Sequence, residues 1–125
     1  MLAIGIVLAT LAGLGIIIIG IMYLVAPRTT AASFGLQELP QSDATAWLRV
    51  KGVRDVATGV VAGVLLLSAP LDVLAWCVLA FVLIPAGDAA VVLRSSGSHA
   101  AAWGIHGTTV LVMLISVVLI FAGAA

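Results

Sequence analysis

Residues 2–26 read LAIGIVLATLAGLGIIIIGIMYLVA, a run of 25 residues without a charged side chain. A helix that crosses a bilayer needs about 20 predominantly apolar residues, so this stretch predicts a transmembrane helix. The run lacks the basic start of a signal peptide and is longer than the roughly 7–15 residues of a signal peptide's apolar region. We therefore expect it to be retained as the first span.

The rest of the chain shares this shortage of charge. Of the 125 residues, 64% are hydrophobic and 8% are charged, and the net formal charge is zero. An ordinary soluble domain carries about 25% charged residues. The composition therefore excludes a soluble globular domain, a disordered chain and a nucleic-acid binder. The lone Cys77 has no partner for a disulfide, which excludes a disulfide-stapled secreted module.

Three further apolar stretches follow the first. Together they predict four spans at about residues 2–26, 50–69, 71–93 and 100–123. Four spans of about 20 residues leave no room for a second domain in this length, so residues 1–125 are expected to form one domain. The predicted fold is an all-α integral membrane four-helix bundle, up-down-up-down, with a short helical cytoplasmic connection between spans one and two.

The basic residues predict how these spans are oriented. All five lie on, or at the border of, the face that carries the connection 27–51 and the turn 94–99: Arg28, Arg49, Lys51, Arg54 and Arg94. Positively charged loops are enriched on the cytoplasmic side of membranes. We therefore expect a multi-pass protein of the cell membrane with both termini extracytoplasmic.

The long connection carries its own helix signals. Pro27 can open a short helix at its first position, and Gly35 can close it in a left-handed cap. Ser42 or Asp43 can cap the helix that leads into span two. The connection is either a solvated loop with one interfacial helical turn or a lid over the cytoplasmic mouth of the bundle.

Three ionisable residues fall at a similar depth within the spans. Asp55 lies 15 residues before the turn at Pro70, and Asp88 lies 18 residues after it. At about 1.5 Å per residue their depths differ by only about 4–5 Å. His106 follows His99 by seven residues, about two helical turns inside the last span, and so belongs to the same layer.

In span two, Asp55 shares a helix face with Gly59 and Gly63. Pairs of small residues at this spacing allow helix backbones to approach closely, so we expect Asp55 to point into a packed interface. It serves either a functional site, an internal ion pair or the cap of its own helix. Arg54 projects about 100° away and can reach the cytoplasmic surface or a carboxylate of the bundle.

In span three, Pro85 removes the backbone hydrogen bond to the Phe81 carbonyl and predicts a kink. Asp88 follows the kink by three residues, which suggests the wall of a pocket. The alternative is a packing kink with Asp88 paired to Arg54 or Arg94.

His106 has three readings: a histidine bonded within the bundle, a proton carrier, or a single axial ligand to haem. His99 lies about 10 Å from it along the helix, too far to share a metal ion, so no metal site is predicted. Tyr23 either adds a hydroxyl to this layer or anchors the first span at the membrane interface.

Several short motifs occur in a recognisable order. They are an apolar span ending near Pro27, then Phe34-Gly35-Leu36, then Lys51-Gly52-Val53-Arg54-Asp55 with Gly59, then Pro85 and Asp88 before Ala89, and His106 early in the last span. This order resembles a family of small four-span proteins of unknown function, number 4267, which is distantly similar to the DoxX-like four-helix membrane bundles. The resemblance covers nearly the whole chain and implies the same fold and the same polar residues, without an activity.

The polar layer suggests first a membrane enzyme that performs acid–base chemistry on a small lipophilic substrate, of isomerase, hydrolase or cyclase type. A carboxyl group in a low dielectric can act as acid or base near neutral pH, so Asp55 and Asp88 are the candidates. His106 would shuttle or orient the proton, and Arg54 would stabilise developing negative charge. The cofactor, if there is one, is unknown.

Two other classes of function fit the same residues. One is an oligomeric binding or transport bundle for a quinone, haem or an amphipathic molecule, and the other is a structural accessory subunit whose polar layer fixes helix register. The expected partners are the lipid bilayer, a small lipophilic ligand and, through its glycines, a second copy of the chain, with no nucleic acid. The glycines in question are Gly13, Gly20, Gly59 and Gly63.

Overall fold

The computed structural model describes residues 1–38, 41 and 44–124, and within these it is almost entirely helical, with no strand. The α-helices are α1 (Leu2–Val25), α2 (Pro27–Ala32), α3 (Thr45–Ser68), α4 (Leu71–Phe81), α5 (Leu83–Arg94), α6 (His99–Ala101) and α7 (Thr108–Ala124). A π-helical segment, Ala102–Gly107, joins the last two. The predicted all-α class is confirmed.

Three continuous helical stretches in the described part of the chain are long and apolar enough to cross a membrane. They are Leu2–Val25, Leu71–Arg94 and His99–Ala124. They coincide with three of the predicted spans and give the protein its membrane character. The helix α3 is as long as α1, at 24 residues, but its N-terminal half contains charged side chains, so its span remains a prediction.

The helices α1 and α3 form the most extensive helix pair, and glycines permit their close approach. A Cβ at Gly20 would lie 2.8 Å from the carbonyl oxygen of Gly52, and a Cβ at Gly59 would lie 2.7 Å from that of Gly13. Gly63, which we expected in this interface, faces open space. The α3 glycines that pack against α1 are therefore Gly52 and Gly59. They contact Gly20 and Gly13 of the same chain.

An apolar core fills the space between α1, α4 and α7. It consists of Ala9, Leu74, Ala75, Val78, Val82, Met113, Val117 and Ile120. The buried Ser116 hydroxyl donates a hydrogen bond of 2.7 Å to the carbonyl oxygen of Gly5, which ties α7 to α1. This core occupies the end of the molecule that holds both termini.

Both long helices of the second half are interrupted towards the opposite end. The break between α4 and α5 falls at Val82, one turn before Pro85, as the missing N–H of a proline predicts. The last helix contains the π-helical segment, which the sequence pattern did not indicate.

The connection after α1 follows its predicted signals in part. Pro27 occupies the start of α2, as expected. Gly35 has a left-handed backbone with φ of 106°, but α2 is capped earlier, at Ser33. The predicted caps Ser42 and Asp43 lie outside the described residues.

Candidate functional site

A cavity of about 190 Å³ lies between α1, α3, α5 and the π-helical segment. For scale, an apolar cavity of about 150 Å³ in another protein admits benzene. The space therefore suits a molecule of about ten non-hydrogen atoms. It exists because α5 packs mainly on the π-helical segment, while α1 packs on α3 and α7.

The wall of the cavity is polar at one end and apolar at the other. The polar side chains are Tyr23, Thr30, Ser33, Lys51, Thr58, Asp88, His106 and Thr109. The apolar part includes three residues of the core, Ala9, Val78 and Met113, together with Ala12, Ile16, Ala62 and Phe81. Such a wall complements an amphipathic molecule with a small polar group and an apolar body.

The π-helical segment places His106 on this wall, with only 9% of its side chain exposed. Its Nε2 lies 3.1 Å from the carbonyl oxygen of Phe34. A carbonyl can only accept, so Nε2 carries a hydrogen and donates it. The Phe34 ring packs edge-on against the imidazole, with 4.7 Å between ring centroids. In neutral His106 the other nitrogen, Nδ1, is therefore the one without a hydrogen.

Nδ1 of His106 faces Asp88, whose Oδ2 lies 4.0 Å away. This is about 1 Å longer than a hydrogen bond, so the two groups can share a proton through a bound molecule or after a small rotation. Asp88 lines the cavity and its side chain is 29% exposed. Within the described ranges it forms no ion pair with Arg54 or Arg94, the alternative that the sequence left open.

Lys51 and Asp55 form an ion pair one turn apart on α3, with 2.6 Å between Nζ and Oδ2. Asp55 is buried, but it does not line the cavity, whereas Lys51 does. The ammonium group also lies 4.9 Å from the centroid of the Tyr23 ring and 5.6 Å from that of Phe34. Of the three roles that the sequence left open for Asp55, the structure shows the internal ion pair. Its partner, Lys51, had been used in the sequence analysis only to predict the topology. Their i, i+4 spacing could have indicated the pair.

Two further placements differ from the sequence-based interpretation. Arg54 is exposed and contributes no side chain to the cavity wall. Tyr23 is 2% exposed and lines the cavity, so its reading as an interfacial anchor is wrong. The structure thus brings together Asp88, His106 and, through Lys51, Asp55, and leaves Arg54 outside.

The segment that follows α2 closes one side of the cavity. Ser33 and Phe34 line it. The next residue, Gly35, accepts a hydrogen bond of 2.7 Å from the backbone N–H of Ser98. The Gln37 side chain donates one of 2.6 Å to the carbonyl oxygen of Ser96. These bonds hold the segment on the turn before the last helix.

In residues 1–38, 41 and 44–124, no group of three or more His, Cys, Asp and Glu side chains is placed to hold a metal ion. Fold and site together define a helical protein with membrane-length helices and a small, amphipathic, partly ionisable cavity.

Over residues 13–120 the chain matches the family model described as Domain of unknown function (DUF4267), and it belongs to that family. The match confirms the resemblance drawn from the motifs, and its range includes every polar residue of the cavity wall. The more distant similarity to the DoxX-like bundles stays a prediction. No curated protein and no solved structure matches the chain.

Proposed function

We propose that the protein is a four-span membrane enzyme that transfers protons on a small lipophilic molecule bound in the cavity, in an isomerase, hydrolase or cyclase type of reaction. The observation that carries the proposal is the pair formed by Asp88 and His106 on the cavity wall, 4.0 Å apart. The cavity supplies the place for a substrate, and the pair supplies the chemistry.

The proposed topology adds α3 to the three membrane-length helices as the second span of an up-down-up-down bundle. Its 24 residues measure about 36 Å, enough for a hydrocarbon layer of about 30 Å. The ion pair of Lys51 with Asp55 offsets two charges within it, and Arg54 can extend to the interface. Trp47, in the first turn of α3, and Trp103, in the π-helical segment, are both exposed, as is typical of an aromatic belt at a membrane interface. The polar end of the cavity then lies near the cytoplasmic face, with both termini opposite.

The proposed acid–base step uses the nitrogen of His106 that its neighbours leave free. The Phe34 carbonyl holds the hydrogen on Nε2, so Nδ1 and the Asp88 carboxylate are the two groups that can take a proton from a bound molecule and return it. Lys51 takes the role first expected of Arg54, because it lines the cavity and its ammonium group lies beside the rings of two other wall residues, Tyr23 and Phe34, where it can stabilise developing negative charge. Asp55 holds Lys51 and acts through it as a positioning residue.

The test begins without a known substrate. The purified full chain in lipid nanodiscs is incubated in D₂O with a lipophilic extract of cells that produce it, and mass spectrometry detects species that gain deuterium or change structure. We expect at least one small lipophilic species to do so with the wild-type protein. The conversion should be lost with Asp88→Asn and with His106→Gln.

The chain offers matched controls for both substitutions. Asp72 and His99 are exposed outside the cavity, so Asp72→Asn and His99→Gln make the same chemical changes elsewhere and should leave the conversion intact. Conversion that persists in folded Asp88→Asn and His106→Gln variants would contradict the proposal.

Binding without chemistry is the second candidate, and the cavity itself favours it. In that case a lipophilic species would be retained by the protein unchanged, with or without Asp88. The haem version of this function is disfavoured, because Nε2 of His106 is already hydrogen-bonded and the cavity of about 190 Å³ is below the roughly 300–1,000 Å³ of typical cofactor pockets.

A further inference from the structure

The hydroxyl groups of threonine and serine on the cavity wall already donate their hydrogens to backbone carbonyls. Each donates a 2.8 Å hydrogen bond to a backbone carbonyl three or four residues earlier: Thr30, Ser33, Thr58 and Thr109. A hydroxyl has one hydrogen to donate, so these groups offer only lone pairs to a ligand. The donors available to a bound molecule must come from elsewhere.

Two side chains supply them, both on the α1 and α3 side of the cavity. Tyr23 is 2% exposed and lines the cavity, and within the described part of the chain its hydroxyl has no hydrogen-bond partner. Lys51 uses one N–H for Asp55 and retains two. The Tyr23 hydroxyl and the two remaining N–H groups of Lys51 are therefore the donors that this side of the wall can offer to a polar atom of the ligand.

The opposite wall, on α5 and the π-helical segment, presents acceptors. The Asp88 carboxylate and Nδ1 of neutral His106 have no hydrogen to give, and both line the cavity. The wall of the cavity of about 190 Å³ therefore carries two kinds of polar group, donors on α1 and α3 and acceptors on α5 and the π-helical segment.

From this geometry we infer that the ligand is a small lipophilic carbonyl compound. Its oxygen accepts hydrogen bonds from Tyr23 Oη and Lys51 Nζ, and a hydrogen on the carbon next to the carbonyl faces the Asp88–His106 pair. The inference rests on the proposed function and names its substrate class.

The chemistry that this arrangement supports is proton abstraction next to a carbonyl. The base takes the proton, the C–H electron pair forms a carbon–carbon double bond, and the carbonyl π electrons move onto oxygen. The donors of Tyr23 and Lys51 stabilise that oxygen as charge develops on it. Return of the proton to the same carbon restores the ketone, and return to another carbon of a conjugated substrate moves the double bond. These proton transfers need no oxidant, reductant or second substrate.

Two probes of nearly equal shape test the donor pair: 4-fluoroacetophenone and 4-fluoro-α-methylstyrene, in which a methylene replaces the carbonyl oxygen. Their affinities for the full chain in detergent micelles are measured by ¹⁹F NMR, with empty micelles as reference. Wild-type protein should prefer the ketone by roughly tenfold, the usual effect of a hydrogen bond in which one group, here the Lys51 ammonium, is charged. Tyr23→Phe should reduce that preference, because only the Lys51 donor then remains.

Two further variants complete the binding test. The double variant Lys51→Met with Asp55→Asn removes the second donor without leaving a buried carboxylate, and it should also weaken the preference. Ser68→Ala removes a hydroxyl that bonds within its own helix, away from the cavity, and should leave the preference unchanged.

Deuterium uptake from D₂O into the methyl group of 4-fluoroacetophenone separates this inference from the proposed function. Uptake that depends on Asp88, together with a preference that depends on Tyr23, supports both. Equal affinity of wild-type protein for the two probes, or binding of neither, overturns the carbonyl inference. A ketone preference that needs Tyr23 but no uptake that needs Asp88 supports the inference and overturns the acid–base function.

Discussion

The two ends of the molecule are built from the same helices by different means. At the end that holds the termini, α1, α4 and α7 are regular and enclose side chains such as Leu74 and Ile120, which are 2% and 0% exposed. Towards the other end the helices are interrupted, first at Val82 on the edge of the core and then in the π-helical segment, and a cavity separates them. Regular helix accompanies close packing here, and irregular helix accompanies the ionisable wall.

The interruption in the last helix determines where His106 lies. A π-helical turn inserts one residue and rotates the side chains that follow it, and such turns are frequent at functional sites. Here the segment carries His106 to within reach of Asp88 and of the Phe34 carbonyl. The packed end supplies stability, which allows the open end to keep polar groups that face a space.

The largest expected effect tests the packed end against the open one. Leu74→Ala removes a side chain enclosed on all sides and should lower the free energy of unfolding by about 2–5 kcal/mol. Ile84→Ala removes one that borders the cavity, where partner atoms are already missing on one side, so its cost should be smaller. Unfolding by SDS in mixed micelles measures both, and equal losses would contradict the distinction.

The next effect concerns the charges of the open end. Lys51→Met leaves the buried Asp55 carboxylate without its partner and should cost roughly 1.5–3 kcal/mol. Adding Asp55→Asn should recover part of that loss. Arg54→Met alters an exposed neighbour and should change stability by no more than about 0.5 kcal/mol. A greater loss from Arg54→Met than from Lys51→Met would show that the wrong basic residue has been assigned to the ion pair.

The contact between α1 and α3 extends through both ends of the molecule, and substitutions of its glycines should change the free energy of unfolding somewhat less. A Cβ at Gly52 would lie 2.7 Å from the Gly20 carbonyl oxygen, so Gly52→Ala should destabilise the protein by about 1–3 kcal/mol. Gly63→Ala meets open space and should stabilise α3 by roughly 0.5–1 kcal/mol. Thermal unfolding of the two variants side by side should therefore give shifts of opposite sign. A destabilised Gly63→Ala protein would place that glycine in an interface after all.

The smallest effect concerns the polar contact within the packed end. Ser116→Ala removes the hydrogen bond to the Gly5 carbonyl and should cost about 0.5–1.5 kcal/mol. Ser68→Ala removes a hydroxyl bonded only to its own helix and serves as the matched control, with little change. SDS titration distinguishes the two, and an unchanged Ser116→Ala protein would show that apolar packing alone joins α7 to α1 there.

The sequence was most informative about Asp55, Asp88 and His106. Charges are so rare in this chain that each one inside a span stands out, and the counts of residues from Pro70 and from His99 predict a similar depth for the three side chains. The break near Pro85 was also predictable, because the missing N–H acts within one helical turn. These features depend on local chemistry, which a sequence displays directly.

The features that were missed depend on contacts between distant segments. Gly59 and Gly63 share a face of α3, but the angle at which α1 crosses decides which of them is covered. The π-helical segment brings His106 to a carbonyl 72 residues away in sequence, and nothing local encodes that partner. Lys51 was read only as a topology signal, and Tyr23 was left between a hydroxyl of the polar layer and an interfacial anchor, because their approach to one cavity is visible only once α1 and α3 are packed.

The most direct test of the central claim is the rate at which solvent deuterium enters a molecule bound in the cavity, compared between Asp88→Asn and Asp72→Asn proteins in the same nanodisc preparation. Loss of a general acid–base group typically lowers a rate by about 10²–10⁴-fold. We predict a loss of that size for Asp88→Asn and a wild-type rate for Asp72→Asn. Equal rates in the two folded variants would contradict the assignment of Asp88 and His106 as the proton-transferring pair.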